Sequence, residues 1–163
     1  MRDTEPLVMQ AQLALERMAR RTLSLALAES CTGGLLGDIL TDVAGSSRVF
    51  RLGIVAYAND AKAGLLGVPE ALLREHGAVS APVCEAMARG AAKAGAATHG
   101  IAITGIAGPT GGTPDKPIGL TFVAVASRGG TRVERFVFEG SRRENKVAAC
   151  AEALRLLLEA LPA

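Results

Sequence analysis

Residues 23–34, Leu-Ser-Leu-Ala-Leu-Ala-Glu-Ser-Cys-Thr-Gly-Gly, constrain the fold more than any other stretch. The apolar run Leu23, Leu25, Ala26, Leu27 and Ala28 has the length of a buried strand. It stops at Glu29-Ser30-Cys31-Thr32, and after Gly33 and Gly34 the pattern Leu35-Leu36-Gly37-Asp38-Ile39-Leu40 is helical, giving a helix over about 32–41. A strand that turns sharply into a helix places its turn at the carboxyl end of a sheet, where unpaired helix N–H groups point at it. Two readings of the turn stay open on this stretch alone. Ser30 or Thr32 can cap the helix. Alternatively, Ser30 is a nucleophile served by backbone donors, with Gly33 and Gly34 admitting a ligand close to the main chain.

The remaining elements follow from periodicity and punctuation. Residues 5–20 form an amphipathic helix, with Thr4 as N-cap, Pro6 in the first turn, and Leu7, Ala11, Leu15 and Met18 at helical spacing. The segment Val43 to Arg48 is a loop in which Ser46 and Ser47 either cap a turn or touch a polar ligand. A strand over 51–56 leads into Tyr57-Ala58-Asn59-Asp60-Ala61-Lys62, where Asn59 or Asp60 starts a helix. Lys62 then lies in the first turns, against the positive end of the dipole. It either bends into solvent or has the lowered pKa that a catalytic amine needs.

A short helix over 70–76 ends at Gly77, and Ser80-Ala81-Pro82 opens another with Val83, Met87, Gly90, Ala91 and Ala94 on one face. The strand over 100–104 runs into a glycine-rich stretch from Gly105 to Pro114. It lacks both the P-loop Gly-Lys-Ser/Thr and the dinucleotide fingerprint, and is either a binding loop or a flexible connector. Residues 119–127 and 131–138 form a hairpin. Ser141-Arg142-Arg143-Glu144 is a capping box that opens the last helix, with Val147, Ala148, Ala151, Leu154, Leu158 and Leu161 on its buried face. Arg142 and Arg143 oppose the dipole, so they are solvated or form an anion site, Arg143 being the one expected in solvent. The order α-β-α-β-α-α-α-β-β-β-α predicts one α/β domain over 1–163, a mixed sheet with helices on both faces.

Composition excludes several classes. Hydrophobic residues make up 49% of the 163, with mean hydropathy +0.28, so apolar surface buried between subunits of a homodimer or higher homo-oligomer is expected. The aromatics are Phe50, Phe122, Phe136, Phe138 and Tyr57, too few for a base-stacking platform. A net charge of +2 without a basic run gives no footprint for nucleic acid. Cys31, Cys84 and Cys150 form neither a disulfide framework nor a zinc pattern, which fits a reducing cytoplasm. His76 and His99 are isolated and no carboxylates cluster, so no metal is expected. There is no signal-peptide core and no apolar stretch of membrane-spanning length, so no membrane partner is expected.

Seven stretches in order carry a resemblance: Ala28–Gly34, Ala44–Ser47, Tyr57–Lys62, Gly77–Ser80, Thr104–Pro109, Lys116–Gly119 and Gly140–Arg142. Together they resemble the CinA C-terminal domain family, and within it the stand-alone nicotinamide-nucleotide amidohydrolases, over nearly the whole chain. Larger members of that family carry an N-terminal domain whose activities are not carried over here. The resemblance implies hydrolysis of nicotinamide mononucleotide to nicotinate mononucleotide and ammonia, without metal or cofactor. It implies Ser30 as nucleophile, Lys62 as base and Tyr57 as a site residue acting as proton relay or ring contact. It implies substrate contacts at Cys31, Thr32, Gly33, Gly34, Ser47, Thr104, Gly105 and Arg142. The chain departs from the family at Ala58, where relatives often have Ser, and at Gly119-Leu120-Thr121. Two other classes stay open: a non-catalytic nucleotide-binding or regulatory domain, and a Ser-Lys hydrolase of another amide or ester.

Overall fold

The computed structural model describes residues 3–162. Helices α1 (Glu5–Arg20), α2 (Leu35–Thr41), α3 (Asn59–Leu66), α4 (Glu70–His76), α5 (Ala81–Ala94) and α6 (Arg142–Ala160) surround strands β1 (Leu25–Glu29), β2 (Phe50–Val55), β3 (His99–Gly105), β4 (Leu120–Ser127) and β5 (Gly130–Val137). The strands form one sheet in the order β2-β1-β3-β4-β5. β1 pairs parallel with both β2 and β3, and β4 and β5 complete the sheet antiparallel. This is the expected mixed sheet, with helices on both faces.

The alternation of β1 divides the core. Leu25 and Leu27 face a cluster built with α1, α2 and α6, while Ala26 and Ala28 face one built with α3, α4 and α5. All five residues of β1 are buried, as a central parallel strand requires. α6 differs from the sequence reading in its rotation. Ala149, Cys150, Ala153, Leu154, Leu156 and Leu157 are buried, whereas Val147, Ala148, Ala151 and Leu158 are only half-buried. The apolar stripe alone misplaces the face because Asn145, a polar residue, is buried in it. Its amide Nδ2 donates to Ala107 O at 3.1 Å, and its Oδ1 accepts from Gly140 N at 2.9 Å. These bonds fix α6 against the loop that leaves β3.

That loop is tied down rather than a free connector. Ile106 N donates to Leu120 O at 2.8 Å and Gly119 N to Ile106 O at 2.7 Å, and Lys116 Nζ reaches His76 O. The topology therefore brings the carboxyl ends of β1, β2 and β3, the loop from 106 and the capped start of α6 to one edge of the sheet.

Candidate active site

Ser30 is the first residue after β1, and its N–H still pairs with Ile103 O of β3 at 3.0 Å. The chain can leave the strand and enter α2 within five residues only by passing through two left-handed positions. Gly33 (φ +64°) and Gly34 (φ +98°) supply them, which other residues adopt only under strain. Neither Ser30 nor Thr32 caps α2. Gly34 occupies the cap position without a side-chain bond. The cap comes from Glu29, a residue the sequence reading did not single out. Its buried carboxyl group accepts from Gly34 N (3.2 Å), Leu36 N (3.1 Å) and Gly37 N (2.9 Å). It takes the place that a bound anion takes at other helix N-termini. A glutamate as the last strand residue before a Gly-Gly turn was the available signal, since its side chain points back toward the helix that follows.

This capping narrows the set of backbone donors beside Ser30. Gly34 N is held by Glu29, and Gly33 N donates to Ser30 O at 3.1 Å. Among the described residues, the N–H groups of Cys31 and Thr32 donate to no main-chain carbonyl. The hydroxyl of Thr32, fully buried, has no partner either.

Lys62 enters from α3, one turn inside the helix, with its own N–H on Ala58 O at 3.1 Å. Its side chain does not bend into solvent: Lys62 is only 1% exposed. Nζ lies 3.0 Å from Ser30 Oγ, 2.9 Å from Ala56 O and 3.0 Å from Tyr57 O. Burial lowers its pKa from the ordinary lysine value, because the charged form loses water without gaining a carboxylate. Three neighbours suit both protonation states. As an ammonium, Nζ donates to all three. As a neutral amine, it donates to the two carbonyls and turns its lone pair to the Ser30 hydroxyl.

Tyr57, a residue 59% exposed, contributes its carbonyl to Lys62, while its phenol oxygen accepts from Arg142 Nη2 at 3.0 Å. No hydrogen bond joins the phenol to Ser30 or Lys62. Arg142 Nη1 donates to Gly108 O at 2.7 Å, so the guanidinium bridges the end of β2 and the loop after β3. The capping box that presents it is formed: Ser141 Oγ accepts from Glu144 N at 3.4 Å and Glu144 Oε2 from Ser141 N at 2.7 Å. Arg143 is exposed, as expected, and its guanidinium also forms two surface bonds to Asp3, at 2.7 and 2.8 Å.

The other expected site positions separate into two groups. Cys31 lies in the elbow, but burial pushes its thiol up to about 11, so it is protonated at neutral pH. Thr104 and Gly105 end β3 near the elbow in roles that hold the fold. The Thr104 hydroxyl donates to Ala78 O at 2.9 Å, and a side chain at Gly105 would meet Thr121 Oγ1 at 2.6 Å. Ser47 is not brought to the cluster. It lies exposed in a turn just before β2, at the amino ends of the strands. β1 and β2 run parallel, so the length of a five-residue strand, about 16 Å, separates that turn from Ser30. His99 begins β3 at that same far end, and His76 is exposed at the end of α4. A hydroxyl with a buried amine and no histidine is thus the reactive pairing of this edge. Among the described residues no group of His, Cys, Asp or Glu is arranged to hold a metal, and no helix is long and apolar enough to cross a membrane.

The sequence matches the family profile of the CinA C-terminal domain over residues 8–161. It is 54% identical over 149 residues to a CinA-like protein of Anaeromyxobacter sp., and 50% identical over 152 residues to one of Chlorobaculum tepidum. The alignments cover 91% and 90% of this chain but 36% of each relative, so the chain spans about a third of their length. A competence/damage-inducible protein of Agrobacterium tumefaciens superposes with TM-score 0.92 at 38% identity, covering 94% of each chain. A CinA superfamily protein of Escherichia coli superposes with TM-score 0.91 at 31% identity, covering 98% of this chain and 92% of its own. With its sheet, its strand–elbow–helix and its match over residues 8–161, the chain belongs to the CinA C-terminal domain family.

Proposed function

We propose that this protein hydrolyses the carboxamide of nicotinamide mononucleotide to nicotinate mononucleotide and ammonia through an acyl-enzyme on Ser30. The observation that carries the reading is the 3.0 Å contact between Ser30 Oγ and the buried amine of Lys62. Burial favours the neutral amine, which is the form able to take a proton.

Ser30 Oγ attacks the carboxamide carbon while Lys62 Nζ takes the hydroxyl proton. The N–H groups of Cys31 and Thr32, not taken by any main-chain carbonyl, receive the developing oxyanion, each such donor contributing roughly 3 kcal/mol. The tetrahedral intermediate collapses with cleavage of the C–N bond, and the proton held by Lys62 leaves with ammonia. Water then attacks the ester, Lys62 taking its proton and returning it to Ser30 Oγ as the acid is released. An amide is a poor electrophile, and the covalent intermediate divides its hydrolysis into two lower barriers. Arg142, held by Tyr57 and Gly108, supplies a cation for the phosphate at the far end of the substrate.

Ammonia release from nicotinamide mononucleotide by the purified chain, measured beside Ser30→Ala, tests the reading. Release by the wild type and none by the variant is expected. A wild type that releases no ammonia from this substrate overturns it.

A further inference from the structure

Arg142 is not the only cation of α6 at this edge. Lys146 lies one turn further along the helix and reaches over the elbow: a Cβ built on Gly33 would lie 3.8 Å from Lys146 Nζ. The residue is half-buried and, among the described residues, has no carboxylate partner. Other arginines of α6 are neutralised, Arg143 by Asp3 and Arg155 by Glu134, Glu152 and Glu159. Arg142 and Lys146 are left as two uncompensated charges four residues apart, and side chains at that spacing are neighbours on a helix surface. The fields of both charges slightly oppose the upward effect of burial on the thiol of Cys31.

The stem of Lys146 is partly covered and its ammonium has no ion pair among the described residues, so an anion seated beside it gains a charge-assisted hydrogen bond. The elbow beside it adds a second unmet demand in the buried hydroxyl of Thr32, which has no partner. The guanidinium of Arg142 has five N–H groups and uses one for Gly108 and one for Tyr57, so donors remain for a ligand. A phosphate monoester has the oxygens to engage both cations at once, whereas a neutral nucleoside has none.

Resting on the function proposed above, we propose that Lys146 is a specificity residue that closes a two-cation clamp with Arg142 on the phosphate of a ribonucleotide. Ser30 and Lys62 act on the carboxamide at one end of the ligand, and the clamp selects the mononucleotide over the riboside at the other.

The test measures binding by calorimetry in the Ser30→Ala protein, where no turnover interferes. Adding Lys146→Met is expected to weaken nicotinamide mononucleotide at least about tenfold and nicotinamide riboside less than about twofold. Lys146→Arg is expected to restore most of the affinity. Unchanged mononucleotide affinity in the Lys146→Met protein overturns the clamp, and so does an equal loss on mononucleotide and riboside. If the Ser30→Ala parent binds neither compound, the proposed substrate is wrong, and inorganic phosphate decides the clamp separately. A phosphate-dependent rise in Tm that Lys146→Met abolishes supports it; no rise, or a rise that persists in the variant, overturns it.

Discussion

Two turns of this protein have nearly the same local chemistry and opposite surroundings. The elbow Glu29-Ser30-Cys31-Thr32-Gly33-Gly34 and the turn Ala44-Gly45-Ser46-Ser47-Arg48 both combine small polar residues with left-handed glycines. The elbow follows β1 at the carboxyl edge of the sheet, with Glu29 and Lys62 both buried around it. The turn precedes β2 at the amino edge, and its serines lie at the surface or half-buried, without a buried charge beside them. A hydroxyl becomes a candidate nucleophile through the amine that the fold brings from 32 positions away, not through its neighbours in sequence.

Substitutions ordered by expected effect can break or sharpen that contrast. Ser30→Ala is expected to lower kcat by about 10⁴-fold or more while leaving mononucleotide binding largely intact. A rate within tenfold of wild type in a clean preparation sinks the acyl-enzyme scheme. Lys62→Met is expected to cost about 10³-fold or more. The wild-type rate should rise with pH through the lowered pKa of Lys62, and that rise should be missing in the variant's residual activity. Stability carries the same sign. The folded amine gives up its proton below the unfolded lysine value, so the unfolded chain binds more protons in that interval, and wild-type stability should rise with pH there. Urea melts of wild type and Lys62→Met across the alkaline range compare the slopes.

Glu29→Ala removes the acceptor for three N–H groups at the start of α2. Unsatisfied buried donors cost about 1–3 kcal/mol each, so a stability loss of about 3 kcal/mol or more is expected in denaturant melts. A loss below about 1 kcal/mol would mean that water replaces the carboxyl group and that the elbow is not held by it. Arg142→Ala is expected to lower kcat/KM on the mononucleotide by about 10- to 150-fold, the worth of a charge-assisted hydrogen bond. The loss on the riboside should be much smaller, and equal losses would place Arg142 in the support of Tyr57 instead. Ser47→Ala is expected to change activity less than about twofold. A loss comparable to that of Arg142→Ala would mean that the turn of a second copy reaches the elbow, since within one chain it is a strand length away.

Much of the architecture was legible because each signal is local. The apolar run to Ala28, the two glycines, the hairpin and the capping box each depend on residues within a few positions, and each formed where the pattern put it. The rotation of α6 was not legible. An apolar stripe ranks residues by hydrophobicity, while Asn145 is buried for its hydrogen bonds to Ala107 and Gly140, which are distant or irregular in sequence. The pairing of Arg143 with Asp3 escaped for the same reason, since 140 residues separate them.

By itself, the sequence determined that Ser30 ends a strand and turns into a helix, and that Lys62 and Arg142 lie in first turns of helices. Tertiary structure decided what each of these faces. Parallel pairing of β1 with β2 and β3 puts the ends of three strands at one edge, so Ser30 meets Lys62 there and Ser47 is carried to the other edge. Burial, which no local pattern contains, lowers the pKa of Lys62 and raises that of Cys31. Glu29 shows the division within one residue: its place at the strand end is local, but its value as a cap arises only when α2 folds back over it.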